Sequence, residues 1–361
     1  MKAAAVFPEK QTLEVVQDFP APSLDSPTGV KLRILTVGVC GTDREIASFL
    51  YGTPPDNFPY LVLGHEALGE VVEVGPEVTT LKPGDLAIPM VRRPCHHPEC
   101  VACRADRPDF CYTGDYRERG IMKMHGFMTE FIVDEAVYMN PVPAALRDVG
   151  VLVEPLTIAE KALLEAVHVQ ARMPFQTPRR AVVLGAGPVG LLGAMALRNQ
   201  GYEVTVYSRD REPNPSATIT RAIGGRYISS LDSTIDQMAT AAGSIDLVYE
   251  ATGASQLAFD VLKVLGPNGL FIITGVPGHH GPVAFDTDAI MRNMVLRNQC
   301  LLGTVNAGKD AFEHAVADLT AFHSKWPDAL QGLITGRDPI EKFADPILHP
   351  TGIKNVIQIS Q

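Results

Sequence analysis

The sequence predicts an α/β protein in which a β-rich region is followed by a doubly wound parallel sheet. Short apolar runs separated by Gly, Pro and Asp turns fill residues 1–150, whereas strands and helices alternate from about residue 180. A glycine-rich turn, GAGPVG, joins the first of these later strands to a helix. A chain of 361 residues with 46% apolar content is long enough for two cores. We therefore expect one domain made of 1–170 with 305–361, and a second made of 171–304.

Each element is predicted from its own pattern of apolar and turn residues. In the first region, short apolar runs at close spacing, broken by Gly, Pro and Asp turns, predict the strands KAAAVF, KLRILTVGV, ALGEVVEVG, LAIPMV and FMTEFIVD. Helical periodicity then appears in PLTIAEKALLEAVHVQ. The parallel sheet is predicted from the strands AVVLGAG, EVTVYSR, IDLVYEATG and LFIITGV, with the helices PVGLLGAMALRNQG and SQLAFDVLKVLGPNG between them. A last helix, KDAFEHAVADLTAFHS, precedes the strand NVIQIS, which we expect to return to the first domain.

The overall charge limits the kinds of partner. A formal net charge of -10 and a pI near 5.5 provide no basic surface for nucleic acid or an anionic bilayer, which favours a small molecule or another protein. No apolar run approaches the roughly 20 residues that a membrane span requires, and the opening segment has no continuous apolar core of a signal peptide. We expect a soluble, cytoplasmic protein.

Four of the six cysteines lie within one short segment, at Cys95, Cys100, Cys103 and Cys111. In a reducing interior, such a cluster is more typical of metal binding than of disulfides. Four thiolates on one loop can surround one ion tetrahedrally, as in structural zinc sites. An iron–sulfur cluster uses the same ligands, and spacing does not separate the two. His96 or His97 could replace the first thiolate, but we predict Cys95 as the fourth ligand.

A glycine motif predicts a dinucleotide site. Gly185, Gly187 and Gly190 form G-x-G-x-x-G between an apolar strand and a helix, which is the context that gives this motif its meaning. The glycines allow a tight turn and close approach of the backbone to a pyrophosphate at the helix N-terminus. The alternative is a glycine-rich packing turn without a ligand.

The end of the following strand bears on the choice of cofactor. NAD-binding proteins usually place an acid here to bind the ribose hydroxyls, but this chain has Ser208 followed by Arg209 and Arg211. A small hydroxyl beside guanidinium groups suits a 2′-phosphate, which favours NADP. Asp210 is compatible with NAD as well, and ordinary exposed arginines are the alternative.

Sulfur, nitrogen and oxygen donors occur outside the cysteine cluster. Cys40 follows an apolar strand, His65 and Glu66 occupy a Gly-flanked turn, and Glu154 lies near the expected domain junction. Taken singly, a buried thiol or a core histidine is the commoner interpretation. Together these residues can form a second, open zinc site facing the nucleotide domain, with Asp43 orienting His65.

Several motifs occur in a family-specific order. CGTDREI, GHEALGEVVEVG, KPGD, the clustered cysteines and GAGPVG resemble the zinc-containing medium-chain dehydrogenase/reductase superfamily over nearly the whole chain. VRRP, RERGI, HGFMTEF, VEPL, SRDREP and LGTVN resemble more narrowly the glucose 1-dehydrogenases of archaea and bacteria. The resemblance implies a GroES-like β-rich catalytic domain and a Rossmann nucleotide-binding domain.

The same resemblance implies a set of catalytic zinc ligands. These are Cys40, His65 and Glu154, with Glu66 as an alternating ligand or a close neighbour. Alcohol dehydrogenases of the superfamily carry a cysteine where this chain has Glu154, whereas polyol and glucose dehydrogenases carry a carboxylate. The structural zinc would be held by the cysteine loop.

Substrate and cofactor contacts are also implied by the resemblance. Glu118 and Asn306 would bind sugar hydroxyls, and Thr42 and Glu154 would lie near the reacting oxygen. The residues expected to contact the cofactor are Gly185, Gly187, Pro188, Val189, Gly190, Ser208, Arg209, Arg211, Thr252, Gly253, Gly275, Thr304 and Asn306.

The chain departs from the superfamily at two points. Its first two clustered cysteines, Cys95 and Cys100, are separated by four residues rather than the usual two. Alcohol dehydrogenases place a proton-relaying histidine five residues after the zinc cysteine, where this chain has Glu45. The resemblance therefore supplies no proton exit route.

The function expected from these features is oxidation of an aldose, D-glucose first, at C1 to the lactone, with hydride transfer to NADP or NAD. Zinc would act as the Lewis acid. One alternative is a zinc-dependent polyol or threonine-type dehydrogenase. An alternative of another class is a non-catalytic NADPH-binding protein. The family further implies a homotetramer, whereas the sequence itself does not decide between a dimer and a tetramer.

Overall fold

The computed structural model describes residues 1–175, 179–278 and 281–360. The chain divides into two compact units. The first contains Met1–Glu154, Ala307–Thr320 and Ile334–Gln361, and the second contains Pro155–Asn306 and Ala321–Leu333. The domain limits expected from the sequence, 170/171 and 304/305, stay a prediction.

The strands follow one another in this order: β1 (Ala3–Phe7), β2 (Thr12–Val16), β3 (Gly29–Gly38), β4 (Leu61–Val62), β5 (Glu66–Val74), β6 (Leu86–Pro89), β7 (Arg92–Arg93), β8 (Arg117–Arg119), β9 (Lys123–Met124), β10 (Phe131–Glu135), β11 (Met139–Val142), β12 (Arg180–Leu184), β13 (Glu203–Ser208), β14 (Arg226–Ser229), β15 (Leu247–Glu250), β16 (Leu270–Ile273), β17 (Cys300–Gly303), β18 (Ile334–Pro339) and β19 (Lys354–Gln358).

The helices are α1 (Gly41–Ala47), α2 (Val101–Arg104), α3 (Val153–Gln170), α4 (Pro188–Asn199), α5 (Pro215–Ala222), α6 (Ile235–Ala242), α7 (Ser255–Leu262), α8 (Thr287–Leu296), α9 (Lys309–Lys325), α10 (Pro327–Gln331) and α11 (Ala344–Leu348). In the described residues, none of them is both long enough and apolar enough to cross a membrane.

The first unit is built on a largely antiparallel sheet. Its strand order is β11-β6-β5-β3-β19-β18, and β10 pairs with β3 as well. The chain end returns to this sheet because β19 pairs antiparallel with β3, as predicted for NVIQIS. Alternate residues of β3 and β5 face a core that includes Leu32, Ile34, Phe127 and Met128. The long sheet therefore fixes the loops that leave β3 and enter β5.

The second unit is a parallel sheet of order β14-β13-β12-β15-β16-β17. All neighbouring pairs in it are parallel. The strand order reverses between β12 and β15, and ligands of such sheets bind outside the carboxyl ends of the strands at this point. The predicted fold class, a β-rich region with a doubly wound parallel sheet, is confirmed.

Some elements gave no clear signal in the sequence. β18 contains Gly336, Asp338 and Pro339, which are typical of turns, and its residues alternate between half-buried and exposed. β17 also alternates in exposure, because it lies at the edge of its sheet. Such edge strands lack the continuous apolar run that made β12 and β15 predictable.

Candidate functional site

Cys40 is held in place by the first turn of α1. It is the residue before the helix, and its Sγ accepts a hydrogen bond from the backbone N–H of Thr42 at 3.2 Å. In return, its own N–H donates to the carboxylate of Asp43 at 3.0 Å. This reciprocal capping arrangement orients the thiol relative to the helix.

A glycine turn places His65 and Glu66. Gly64 has φ +87, and a Cβ there would lie 2.6 Å from a methyl group of Val37, so only glycine fits. Glu66 begins β5 opposite Gly38 of β3, and a Cβ on Gly38 would collide with the Glu66 carboxylate. The two glycines thus make room for a buried imidazole and a buried carboxylate.

Cys40, His65 and Glu66 form a compact donor set. Their ligand atoms lie within 4.8 Å of one another, and Cys40 Sγ is 3.1 Å from His65 Nε2. On the other side of the ring, His65 Nδ1 lies 3.5 Å from Oδ1 of the fully buried Asp43. A carboxylate in this position fixes the imidazole with Nε2 toward the thiol, as in zinc sites. Sulfur, nitrogen and carboxylate donors together match zinc.

The electrostatics of this set favour a cation. Burial opposes protonation of His65, but the Cys40 and Asp43 charges outweigh it and raise the His65 pKa well above its usual range. Asp43 is itself buried, yet His65 and the N–H of Cys40 hold the Asp43 pKa below its usual range. An environment that attracts an extra positive charge to the imidazole fits a bound metal ion.

Glu154 lies in the first turn of α3, where the charges of His65 and Glu66 act on its carboxyl group. Burial raises the pKa of Glu154 to about 8, His65 opposes this shift, and the nearby Glu66 carboxylate adds to it. In the described residues, the set of donors within 4.8 Å of one another does not include Glu154. The ligand roles predicted for Cys40, His65, Glu66 and Glu154 stay predictions.

A buried lysine that sequence reasoning missed completes this region. Lys354, at the start of β19, is 1% exposed and forms an ion pair with Glu66. Its ammonium also donates to the backbone carbonyl of Val39 at 2.9 Å. The available signal was a lysine opening the apolar strand KNVIQ, where an exposed charge is the usual interpretation.

The four clustered cysteines converge in the structure. Their sulfur atoms lie within 4.8 Å of one another, with 3.6 Å between Cys95 and Cys103 and 3.9 Å between Cys100 and Cys111. All four are free thiols, and three are buried. Four sulfur donors at these distances fit a closed tetrahedral metal site.

Local hydrogen bonds lower the pKa of one thiol of this loop, whereas burial raises the pKa of Cys103. The backbone N–H groups of Cys103 and Tyr112 lower the pKa of Cys100 to about 6, which favours a thiolate, the form that binds metal. Of the two neighbouring histidines, His97 contacts Asp115 at 3.1 Å instead of the sulfur atoms. The geometry therefore favours Cys95 as the fourth ligand.

Two residues implied to contact the sugar lie in the first unit. Glu118 in β8 is 4% exposed, and its Oε1 accepts from Nε of the equally buried Arg92 at 2.9 Å. The guanidinium of Arg92 stacks on the ring of Tyr116, 3.6 Å from its centre. Thr42 is half-buried beside Cys40. Sequence reasoning noticed VRRP only as a family motif, so the ion pair was missed. The roles of Thr42 and Glu118 stay predictions.

The glycine motif lies between β12 and α4, as predicted. Gly185 has φ +99, and a Cβ there would lie 2.7 Å from the methyl group of Thr252. A Cβ on Gly190 would collide with the carbonyl oxygen of Gly185. Gly187 precedes α4, with Pro188 as the first helical residue, and a Cβ on Gly187 would meet no atom within 4 Å. The first and third glycines thus serve packing, and the second leaves open space at a helix N-terminus, which fits a pyrophosphate.

The end of β13 has the features expected beside a nucleotide. Ser208 closes the strand and is half-buried, and Arg209 follows it as an exposed residue. Arg211 pairs with Asp232 at 2.7 Å, and both are exposed. A surface pair of this kind is weak and leaves a guanidinium available for exchange with a phosphate.

Further residues expected to contact the cofactor follow β17. Thr304 has a buried hydroxyl oxygen that finds no hydrogen-bond partner in the described ranges. Asn306 adopts a left-handed conformation with φ +60. Lys161 of α3 donates to the carbonyl of Val305 at 3.0 Å and so fixes the backbone between Thr304 and Asn306. A buried hydroxyl without a hydrogen-bond partner among the described residues fits a polar ligand at the carboxyl end of β17.

Comparison with known families matches most of the chain to two described families. Residues 26–144 match the family described as "Alcohol dehydrogenase GroES-like domain". Residues 147–359, more than half of the chain, match the family described as "Glucose dehydrogenase C-terminus".

Individual relatives and solved structures extend this match over the whole chain. "Glucose 1-dehydrogenase" of Methanocella arvoryzae is 39% identical over 96% of this chain and 95% of the relative. "Glucose 1-dehydrogenase" of Thermoproteus tenax is 36% identical over 99% of each chain. The solved structure of Haloferax mediterranei glucose dehydrogenase in complex with NADP, Zn and gluconolactone is 34% identical, covers 100% of both chains and has a TM-score of 0.90. The chain therefore belongs to the glucose 1-dehydrogenase family within the zinc-containing medium-chain dehydrogenase/reductase superfamily.

Proposed function

We propose that this protein is a zinc-dependent glucose 1-dehydrogenase that oxidises D-glucose at C1 to the lactone and transfers hydride to NADP or NAD. The observation that carries the proposal is the set of half-buried Cys40 with buried His65 and Glu66, whose donor atoms lie within 4.8 Å of one another. The Haloferax structure supports it, because that relative holds NADP, zinc and gluconolactone.

In this proposal, Cys40, His65 and Glu154 hold the catalytic zinc, with Glu66 as an alternating ligand. When bound, the ion supplies Lewis-acid polarisation of the C1 hydroxyl and lowers its pKa. The chain's own contribution is to orient the donors, since Asp43 fixes the His65 ring. The cysteine loop would hold a structural zinc.

The sugar would be recognised by polar side chains. Thr42 lies in the first turn of α1, and its hydroxyl is the proposed first hydrogen-bond acceptor for the proton that leaves C1–OH. Glu118 and Asn306 are proposed to bind sugar hydroxyls, and Arg92 keeps the Glu118 carboxylate oriented. A wrong substrate leaves such groups unpaired, at a cost of about 1–3 kcal/mol each.

The cofactor would bind at the carboxyl edge of the parallel sheet. The turn from Gly185 to Gly190 is proposed to receive the pyrophosphate. Ser208, Arg209 and Arg211 would accept the 2′-phosphate of NADP, and Asp210 keeps NAD compatible.

A substrate panel separates this proposal from its alternatives. We expect the highest initial rates with D-glucose and lower rates with other aldoses. Both should exceed the rates with sorbitol, threonine and simple secondary alcohols by at least about tenfold, because Glu118 and Asn306 are proposed to provide sugar-specific contacts. NADP and NAD are each tested on zinc-saturated protein. A preference for open-chain polyols would favour the sorbitol type, and binding of NADPH without any turnover would favour the non-catalytic alternative.

We further propose that the protein is a cytoplasmic homo-oligomer, a dimer or a tetramer. None of the described residues of α8 is buried, and Met291, Val295 and Leu296 are 65%, 73% and 67% exposed. The neighbouring β17 is the edge of its sheet. A second copy related by two-fold symmetry can cover both an exposed apolar helix and an open strand edge.

Charge on α8 is expected to separate the subunits. Val295→Asp places a carboxylate in the proposed contact, so the mass by light scattering should fall toward the 39.0 kDa of one chain. Val167→Asp is the control, because Val167 is similarly exposed, at 63%, on α3. Equal masses for both variants and the parent protein would contradict a contact through α8.

A further inference from the structure

Glu250 is a buried acid at the carboxyl edge of the nucleotide-binding sheet. It is the last residue of β15 and is 1% exposed. Removing a carboxylate from water is costly unless several donors replace the lost water. The hydrogen-bond donors around Glu250 therefore indicate its role.

The Glu250 carboxylate binds two loops at once. Its Oε1 accepts from the N–H of Thr252 at 2.6 Å, from the Thr252 hydroxyl at 2.5 Å and from the N–H of Gly253 at 2.9 Å. Its Oε2 accepts from the N–H of Gly275 at 3.1 Å. The first three donors follow β15, and the last follows β16, so one side chain links the ends of adjacent strands.

The two loops approach so closely because both contain glycine. A Cβ on Gly275 would collide with the N–H of Gly253 and would lie 2.7 Å from Glu250 Oε2. Gly253 has φ +67, and a Cβ there would lie 2.5 Å from the carbonyl oxygen of Val276. Thr274 adds a further link, since its hydroxyl donates to the Glu250 carbonyl at 2.7 Å. The carboxylate is thus the polar centre of a tight junction.

We infer that Glu250 is a positioning residue for the nicotinamide cofactor, which it orients without contacting it. This inference rests on the proposed function and on the family resemblance, which implies that Thr252, Gly253 and Gly275 contact the cofactor. Their N–H groups already donate to Glu250, so they contribute a fixed backbone surface rather than free N–H donors. A loop held in its bound conformation before the ligand arrives loses less entropy on binding.

Glu250→Gln tests the inference on zinc-saturated protein. The amide replaces one acceptor oxygen with a donor, which must face an N–H of one of the two loops. We expect the Kd for NADP, measured by titration calorimetry, to rise at least tenfold, and KM for NADP to rise with it. The value of kcat at saturating NADP should stay within about threefold, and both zinc ions should be retained.

Two further variants and a second readout complete the design. Glu250→Asp keeps the charge but is one methylene shorter, so it should weaken NADP binding less than Glu250→Gln does. Its Kd for NADP also tests the inference if the Gln variant does not fold. Glu203→Gln, on β13 of the same sheet and 77% exposed in its side chain, should leave Kd unchanged. Hydrogen exchange without NADP should quicken at the amides of Thr252, Gly253 and Gly275 in both Glu250 variants.

The outcomes distinguish this inference from the function on which it rests. Parent protein that fails to bind NADP contradicts both. Parent protein that binds, together with Glu250 variants that match its Kd within twofold, overturns only the positioning role. A lower melting temperature with an unchanged Kd would likewise assign Glu250 to stability alone.

Discussion

Cys40→Ala is expected to abolish aldose oxidation and to remove one of the two zinc ions proposed for each chain. The thiol supplies the sulfur donor of the set formed with His65 and Glu66, and His65 Nε2 lies 3.1 Å from it. Without that donor the imidazole loses both its neighbour and the ion that would orient the substrate hydroxyl. We expect kcat/KM to fall at least about a thousandfold, equivalent to about 4 kcal/mol of transition-state stabilisation.

The measurement is zinc content by mass spectrometry together with initial rates. His65→Ala should give the same two losses. Cys300→Ala is the matched control, because Cys300 is a free cysteine outside both donor sets. It should keep both zinc ions and the parent rate. Activity that survives Cys40→Ala or His65→Ala would contradict the ligand assignment.

The second large effect is expected at the glycine motif, where two similar substitutions should fail for different reasons. A Cβ on Gly187 meets no protein atom within 4 Å, whereas a Cβ on Gly190 collides with the carbonyl oxygen of Gly185. Gly187→Ala should therefore leave the melting temperature nearly unchanged but weaken NADP binding at least about tenfold, because the added methyl group lies where the pyrophosphate approaches. Gly190→Ala should destabilise the nucleotide-binding unit itself.

Thermal unfolding and NADP titration, made on the same preparations, check this contrast. Both variants should keep two zinc ions, because neither glycine belongs to a donor set. If Gly187→Ala binds NADP like the parent protein, the pyrophosphate does not bind at this turn. If Gly190→Ala is as stable as the parent protein, the packing role of the third glycine is wrong.

The sequence predicted the fold well because the elements that define it have strong local patterns. Residues 181–184 of β12 and 247–249 of β15 are apolar and buried, and the turn from Gly185 to Gly190 is typical of a strand that leads into a helix. The edge strands β17 and β18 were not predicted, because one side of each is open and turn residues interrupt β18. Pairing with a neighbour, rather than local preference, decides their conformation.

The candidate sites were predicted only in part. Spacing alone indicated the cysteine loop, whereas Glu118 and Asn306 came from the family resemblance. Lys354, Arg92 and Glu250 were missed, because each is a charged residue whose burial depends on a partner distant in sequence. A single sequence favours an exposed position for such residues, since unpaired charges are almost never buried.

The most direct test of the account is reduction of NADP by D-glucose with protein of full zinc occupancy. NADPH is followed by its absorbance, and the sugar product is identified by mass spectrometry. We expect NADPH and gluconolactone in equal amounts, with the rate lost when zinc is removed and restored when it is returned. Protein with two zinc ions and bound NADP that forms no lactone from glucose would contradict it.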